Sequence, residues 1–359
     1  MSLTIVIPTR NRPKLWQAQL RLFRALGLDY PIIIADSSDP GYNNPVPMVA
    51  LKNAKHWSFA PNTPFYEKLA EVARAIATPF VAMVPDDDIT FPHAIIAALD
   101  HLQRNPDYVS AYGYVLNYGI HEDNFDIHRI SFFTPSVDDS PPIRRLFHLM
   151  RRYQPFLWSV MRTDTALAGA QAASAVHGTI FQELTFSSVA VMLGTVARLP
   201  LIFNLRGLEM SLTPVSEGQP FVWFLTNPSS FFGHYVDYRN ALLHFIRERD
   251  LAAAQSSRLE PLIDLVHASY FGREVDTGAI NHMAAIFIGD PVPPLSFEYH
   301  PPYAWKQISG GDVVHLSQRN KRRYVWREGV LTAEPREEIR IDLGEIARVE
   351  AELDLFHFN

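Results

Sequence analysis

Three consecutive aspartates, Asp86-Asp87-Asp88, follow the apolar run Phe80-Val-Ala-Met-Val84 and a single proline. Adjacent carboxylates repel one another at neutral pH, the more so as the local dielectric falls, so a cation is expected to offset them. A hard divalent ion with oxygen ligands, Mg²⁺ or Mn²⁺, bridging carboxylates to a substrate diphosphate meets that need. In extended chain, successive side chains alternate, which predicts Asp86 and Asp88 on one side and Asp87 on the other. The plainer alternative is a solvated acidic turn ahead of a helix at Pro92. Position at the carboxyl end of a strand favours the ligand site, because open α/β sheets bind there.

Two further strand ends carry polar groups: Ile7-Pro-Thr-Arg-Asn-Arg12 and Ile34-Ala-Asp-Ser-Ser38. In a parallel sheet both lie on the same edge as the aspartates, so a hydroxyl, two guanidinium groups and a carboxylate converge on one crevice. Arg10 and Arg12 are forked donors suited to phosphate oxygens, and Asp36 can accept from a base N–H or a ribose hydroxyl. Taken singly, Thr9 or Asn11 could cap the next helix and Asp36 a turn.

The elements that hold these groups follow from periodicity. Short β-branched runs at 3–7, 31–35 and 80–84 alternate with helical spacing at 13–26, from Thr63-Pro64 onward and at 92–104, with one short strand within 48–59; this predicts a mostly parallel sheet covered by helices. Beyond Tyr108 an aromatic stretch reads as a hairpin, followed by a helix at 141–152, a strand at 156–161, a helix at 181–193 and a last core strand at 196–203. From about Ser211 the alternation gives way to helices near 236–249 and 261–271, Pro-rich chain and a final strand-like run. We therefore expect a domain at 1–210 and a helical and mixed C-terminal region at 211–359.

The composition excludes several classes. The chain of 359 residues has 32 Lys+Arg, 38 Asp+Glu and no cysteine, a net charge of −6, with 47% hydrophobic and 19% charged residues. Disorder is excluded, and no global field gathers nucleic acid or anionic lipid. Without cysteine there is no disulfide scaffold, thiolate nucleophile or Cys-ligated metal. No window approaches the ~20 apolar residues of a spanning helix. The expectation is a soluble, cytoplasmic protein, with peripheral membrane association left open by the basic pairs Arg144-Arg145 and Arg151-Arg152, whose default reading is a solvated face.

Three segments in order, Thr4-Ile-Val-Ile-Pro-Thr-Arg-Asn-Arg12, Ile33-Ile-Ala-Asp-Ser-Ser38 and Phe80-Val-Ala-Met-Val-Pro-Asp-Asp-Asp88, resemble the nucleotide-diphosphosugar half of family 2 glycosyltransferases of GT-A fold. The resemblance covers roughly residues 1 to 210. It implies a GT-A-like, mostly parallel twisted sheet flanked by helices, with Pro8, Thr9 and Arg10 around the nucleotide and Asp36 on the base. It also implies Asp86 or Asp87 facing ribose or sugar, and Asp88, with help from Asp86, holding Mn²⁺ or Mg²⁺ on the diphosphate. Lys68 falls where the family often keeps a polar contact to the nucleotide; an exposed helix lysine is the competing reading. The donor implied is a nucleotide-diphosphosugar, a UDP-sugar foremost, and the acceptor a carbohydrate or other hydroxyl.

An inverting enzyme of this kind needs a carboxylate to remove the acceptor proton. The family usually places it about a hundred residues after the metal motif as Glu-Asp at a helix start, and Phe181-Gln-Glu-Leu184 is the best match. Glu183 is then the base, Leu184 standing where the family has aspartate; a first-turn acid favoured by the helix dipole is the other explanation. Asp164 and Glu209 are fallback bases, and His234 a candidate for the metal shell. Asp276-Thr-Gly278 and the polar run His121 to His128 match protease or zinc patterns too poorly to carry either chemistry. Two other classes stay open: a nucleotidyltransferase, against which the absence of a Gly-rich loop after the first strand speaks, and a non-catalytic binding protein, which Leu184 favours. Homo-oligomerisation is also left open.

Overall fold

The computed structural model describes residues 2–42, 53–121, 124–132, 135–139, 141–151, 153–207, 220–251 and 258–273, together with five strand segments between 303 and 342. Strand β1 (Leu3–Thr9) is buried along its whole length, as expected for a strand covered on both faces. It pairs in parallel with β2 (Ile32–Asp36) on one side and β4 (Phe80–Met83) on the other, and β2 pairs in parallel with β3 (Ala54–Ser58). Their carboxyl ends therefore share an edge, with Thr9 opposite Asp36 and Asp36 opposite Ser58.

Helices cross between these strands for reasons visible in the chain. In α1 (Pro13–Ala25), proline at the first turn costs no hydrogen bond, and Leu15, Leu22 and Phe23 are buried. Helix α2 (Phe65–Ala75) buries Tyr66, Leu69 and Val72, and α3 (Pro92–Arg104) buries Ile95, Leu99 and Leu102. Between β4 and α3 lies β5 (Asp88–Thr90), three residues that pair antiparallel with β9 (Thr195–Gly207). The sheet continues past β4 through antiparallel β8 (Val160–Arg162) to β6 (Tyr108–His121), which runs parallel to β9 and forms a hairpin with β7 (Asn124–Phe132). Beyond β9 come β14 (Ile339–Asp342), β11 (Val313–Gln318) and β10 (Tyr303–Gln307), while β12 (Arg323–Arg327) and β13 (Val330–Glu334) form a separate hairpin. The result is α/β with a mostly parallel sheet flanked by helices.

Two departures from the sequence reading have simple causes. Residues 156–159 are loop rather than strand. An unanticipated helix, α5 (Thr163–Ser174), is rich in alanine and so lacks the large apolar residues that mark a helical face. It packs closely on α6 (Thr179–Leu193), where a Cβ at Gly169 would lie 3.0 Å from the Phe186 ring.

One hydrophobic cluster runs from Leu3 to Tyr270 and takes in α4 (Pro142–Arg151), α7 (Pro220–Thr226), α8 (Pro228–Glu248) and α9 (Leu259–Arg273). Helix α8 packs on α6, and α9 on α4 and α8. At the centre the fully buried Phe181 ring meets those of Trp223, Phe231, Tyr238 and Phe271. Burying a side chain of this kind is worth ~1.5–3 kcal/mol. The C-terminal helices thus share the core of the sheet that carries the aspartates. Among the described residues no helix is long and apolar enough to cross a membrane.

Candidate active site

The β1 end and the aspartates are bonded directly. Thr9 Oγ1 donates to Asp86 Oδ2 at 2.6 Å, and Arg12 Nη1 donates to Asp86 Oδ1 at 3.0 Å and to Asp87 Oδ2 at 2.7 Å. Arg12 reaches them because Asn11 turns the chain at φ 59°, a left-handed conformation that asparagine tolerates better than most residues. That turn is fastened to the β2 end: Asn11 N–H donates to Ser38 Oγ at 2.7 Å, its amide to Asp39 at 2.7 Å, and Asp39 N–H back to Asn11 at 2.8 Å. Arg10 points outward, half exposed, with Asp39 3.8 Å away.

The alternation expected for the triplet does not hold. Asp86 and Asp87 lie in a bend, not in extended chain, so both reach Arg12, while Asp88 opens β5 and faces Arg206 of β9, whose Nε stands 3.3 Å from Asp88 Oδ2. Burial, with the neighbouring carboxylate Asp87, pushes the Asp86 acid up to about 6 against the pull of Thr9 and Arg12. Burial pushes Asp88 up to about 7, although Arg206 opposes it. Burial would lower the Arg12 guanidinium, but the two carboxylates outweigh it and raise it.

Asp36 is buried and its carboxylate already has chain partners. Oδ1 accepts from Ser38 N–H at 2.8 Å and Ser38 Oγ at 2.5 Å, and His56 Nε2 lies 3.0 Å from Oδ2. Burial would raise this acid; the bonds from His56 and Ser38 prevail and lower it. Lys68 is neither exposed nor open to the crevice. It is 2% exposed, its Nζ donating to the Thr9 carbonyl and to Ser37 Oγ, both at 2.9 Å, which ties α2 to the ends of β1 and β2. Burial brings its ammonium down to about 8, partly offset by Asp36 and Asp86.

Glu183 lies in the first turns of α6 and is partly open to solvent. Its Oε1 accepts from the Tyr153 hydroxyl at 3.0 Å. Burial raises the acid, while Tyr153 and the charge of Arg206 pull it back. Arg206 thus contacts Asp88 directly, and its charge also favours ionised Glu183 on α6. Leu184 is fully buried in the core, so this helix has an apolar requirement at that position.

The remaining sequence candidates lie elsewhere or beyond the description. Asp164 accepts from Thr165 N–H at 2.7 Å at the start of α5, next to Arg162, which pairs with the first residue of β4 at the opposite sheet edge. His234 stacks on His177 and meets the Trp223 ring edge-on. Buried Arg145 donates to the carbonyls of Val191 at 2.5 Å and Met192 at 3.1 Å, capping the end of α6 instead of joining a solvated stripe. Glu209, Arg152, residues 122–123 and the 276–278 triplet lie outside the described residues.

Among the described residues no three His, Asp or Glu side chains are gathered as a metal cage. A divalent ion that takes most of its oxygens from water and substrate phosphates needs only one or two carboxylates. Asp88 and Asp86 suit it as buried oxygen donors: burial, the chief cause of their raised pKa values, disfavours the bare carboxylates, and a bound cation would offset that cost. Sequence reasoning missed His56, Tyr153 and Arg206. Arg206 had a signal, as a cation just past the last core strand; Tyr153, within Arg151-Arg-Tyr-Gln-Pro155, belongs to no motif that would mark it.

No family model matches the chain, and no curated protein matches it by sequence. Among solved structures it is similar to S. aureus TarS 1-349, at 13% identity over 94% of this chain and 99% of that one, with a TM-score of 0.44. The same TarS portion in complex with UDP-GlcNAc aligns at 14% identity over 94% and 99% of the two chains, with a TM-score of 0.43. A CMP:2-keto-3-deoxy-manno-octonic acid synthetase complexed with CTP aligns over 58% of this chain and 90% of that one, at 11% identity and a TM-score of 0.33. The α/β assignment rests on this chain's own strand order and register.

Proposed function

We propose that this chain is an inverting glycosyltransferase, of hexosyltransferase type, that moves a sugar from a nucleotide-diphosphosugar, a UDP-sugar foremost, to a hydroxyl acceptor. The observation that carries this reading is the gathering of polar groups from the strand ends by hydrogen bonds and ion pairs. Thr9 and Arg12 meet Asp86 and Asp87, Asp36 meets His56, and Arg206 meets Asp88 while its charge favours ionised Glu183.

Each group has a task. The turn Pro8 to Arg12 surrounds the nucleotide, with half-exposed Arg10 available to phosphate oxygens. Asp36, oriented by Ser38 and His56, receives the base N–H. Lys68 supports the crevice from below by holding Thr9 and Ser37. Asp88, with Asp86, would hold Mn²⁺ or Mg²⁺, which when bound supplies positive charge against the negative charge of the departing diphosphate. Glu183 takes the proton of the acceptor hydroxyl as its oxygen forms the bond to the anomeric carbon and the nucleoside diphosphate leaves from the opposite face. Burial raises the Glu183 pKa and so makes its carboxylate the stronger base, which suits that role. The first 210 residues would supply the donor site, with the C-terminal part completing the acceptor side.

A thermal-shift titration with UDP, GDP, CDP and dTDP, each with and without Mn²⁺, tests the donor site in wild type, Asp88→Ala and Glu183→Gln. Metal-dependent stabilisation by one nucleotide, lost in Asp88→Ala and kept in Glu183→Gln, is the expected result. Stabilisation by none of them would overturn the assignment in favour of a non-catalytic protein.

A further inference from the structure

Glu183 is held by a residue from another element. The Tyr153 side chain is 8% exposed and follows α4; its hydroxyl lies 3.0 Å from Glu183 Oε1 and 3.3 Å from Ser187 Oγ, one turn further along α6. Behind it the Tyr270 ring of α9, 4% exposed, packs edge-on at a centroid distance of 5.2 Å. Among the described residues Oε2 of Glu183 has no hydrogen-bond partner, and the residue is partly open to solvent.

We propose that Tyr153 is the positioning residue of Glu183, fixing Oε1 so that Oε2 faces the acceptor hydroxyl, and that Tyr270 of α9 holds Tyr153 in place. The proposal rests on Glu183 being the base, and it makes the C-terminal helices part of the base's support. A carboxylate with one oxygen pinned loses its side-chain rotation before the acceptor arrives, so the ordering cost is not charged to the reaction. The hydroxyl donates more strongly to the ionised carboxylate than to the neutral acid, which favours the form able to accept a proton despite the burial. The other groups facing Glu183 are Tyr66 from α2, neutral and buried, and Arg206 from β9, which also favours the ionised form. Ser187 supplies no charge. Removing the Tyr153 hydroxyl therefore raises the Glu183 pKa, with Arg206 still opposing the rise.

The test is a carboxyl ¹³C NMR titration of the full chain labelled at glutamate, the Glu183 signal being assigned by its loss in Glu183→Gln. Tyr153→Phe should move the Glu183 midpoint up by about one pH unit, a tenfold change in proton affinity. UDP binding by thermal shift should stay unchanged. An unmoved midpoint overturns the proposal. Should Tyr153→Phe fail to fold, Tyr270→Leu keeps both bonded groups, removes the buttress, and should give a smaller shift in the same direction; no shift there overturns the proposal equally. UDP release from UDP-sugars, measured in parallel, separates the two claims. If Glu183→Gln releases UDP at the wild-type rate while Tyr153→Phe shifts the midpoint, the base assignment has failed and the contact stands.

Discussion

Arg206 Nε stands 3.3 Å from Asp88 Oδ2, across 118 residues of sequence, and the two are direct partners in the antiparallel pairing of β5 with β9. The pairing places a guanidinium under the last aspartate of the triplet and within electrostatic reach of Glu183. It explains why a three-residue strand persists here: β5 is the device that brings Asp88 to Arg206.

Removing that partner should cost stability. Arg206→Ala leaves Asp88 buried without its cation, and because Arg206 is itself about one-third exposed the loss is expected at about 1–2 kcal/mol at neutral pH. Asp88→Asn in the same background should recover most of it. Urea unfolding of the two single variants and the double variant gives the coupling, and purely additive effects would contradict a direct interaction.

Arg12 serves two carboxylates from one nitrogen. Arg12→Ala should destabilise the fold by about 1–3 kcal/mol, since Asp86 is left buried beside Asp87 with only the Thr9 hydroxyl. Arg12→Lys should retain part of the stability but lose nucleotide binding, its ammonium lacking the planar fork. Chemical denaturation together with calorimetric titration of UDP reads both.

The Asp88 acid sits near 7 in the fold against an ordinary value of 3.8, so the folded chain binds more protons than the unfolded chain between those values. Its contribution is fully present below about 4 and is lost as pH rises through 7. Relative to Asp88→Asn, wild type should therefore become less stable from pH 4 to pH 8. Melting curves at matched ionic strength check the sign, and Mn²⁺ at pH 8 should restore part of the difference in wild type alone.

His267 works in the opposite sense. It is fully buried between α8 and α9, with Nδ1 2.7 Å from the Ile263 carbonyl and Nε2 against the Tyr238 hydroxyl, and burial brings it down to about 4 from 6.5. The unfolded chain takes up the proton first, so stability is lost as pH falls from 6.5 towards 4. Compared with His267→Gln, wild type should lose more melting temperature between pH 7 and pH 4.5; parallel slopes would rule out a neutral buried imidazole.

Much of the architecture was legible from short-range pattern. Pro13 and Pro92 open helices where expected, and the apolar runs at Leu3, Ile32 and Phe80 are strands, because proline sterics and the periods of helix and strand act within a few residues. The same logic failed where its premise failed. The triplet alternates only if its chain is extended, and at Asp86 and Asp87 it bends; α5 has no large apolar face to read. Lys68 read as a polar contact to the nucleotide or else an exposed lysine, because helix spacing does not reveal that the Thr9 carbonyl and the Ser37 hydroxyl lie within its reach.

Which polar groups stand at the carboxyl ends of β1, β2 and β4 follows from the order of residues alone, since strand polarity and parallel order put Thr9, Asp36 and Asp86 on one edge. Their partners follow from the folded packing. Arg12 with Asp86 and Asp87, His56 with Asp36, Tyr153 with Glu183 and Arg206 with Asp88 all lie far apart in the chain. Such pairs form when packing of the common core removes water from the carboxylates, and the cost of burying their charge is met by whichever cation or hydroxyl the fold has carried within reach.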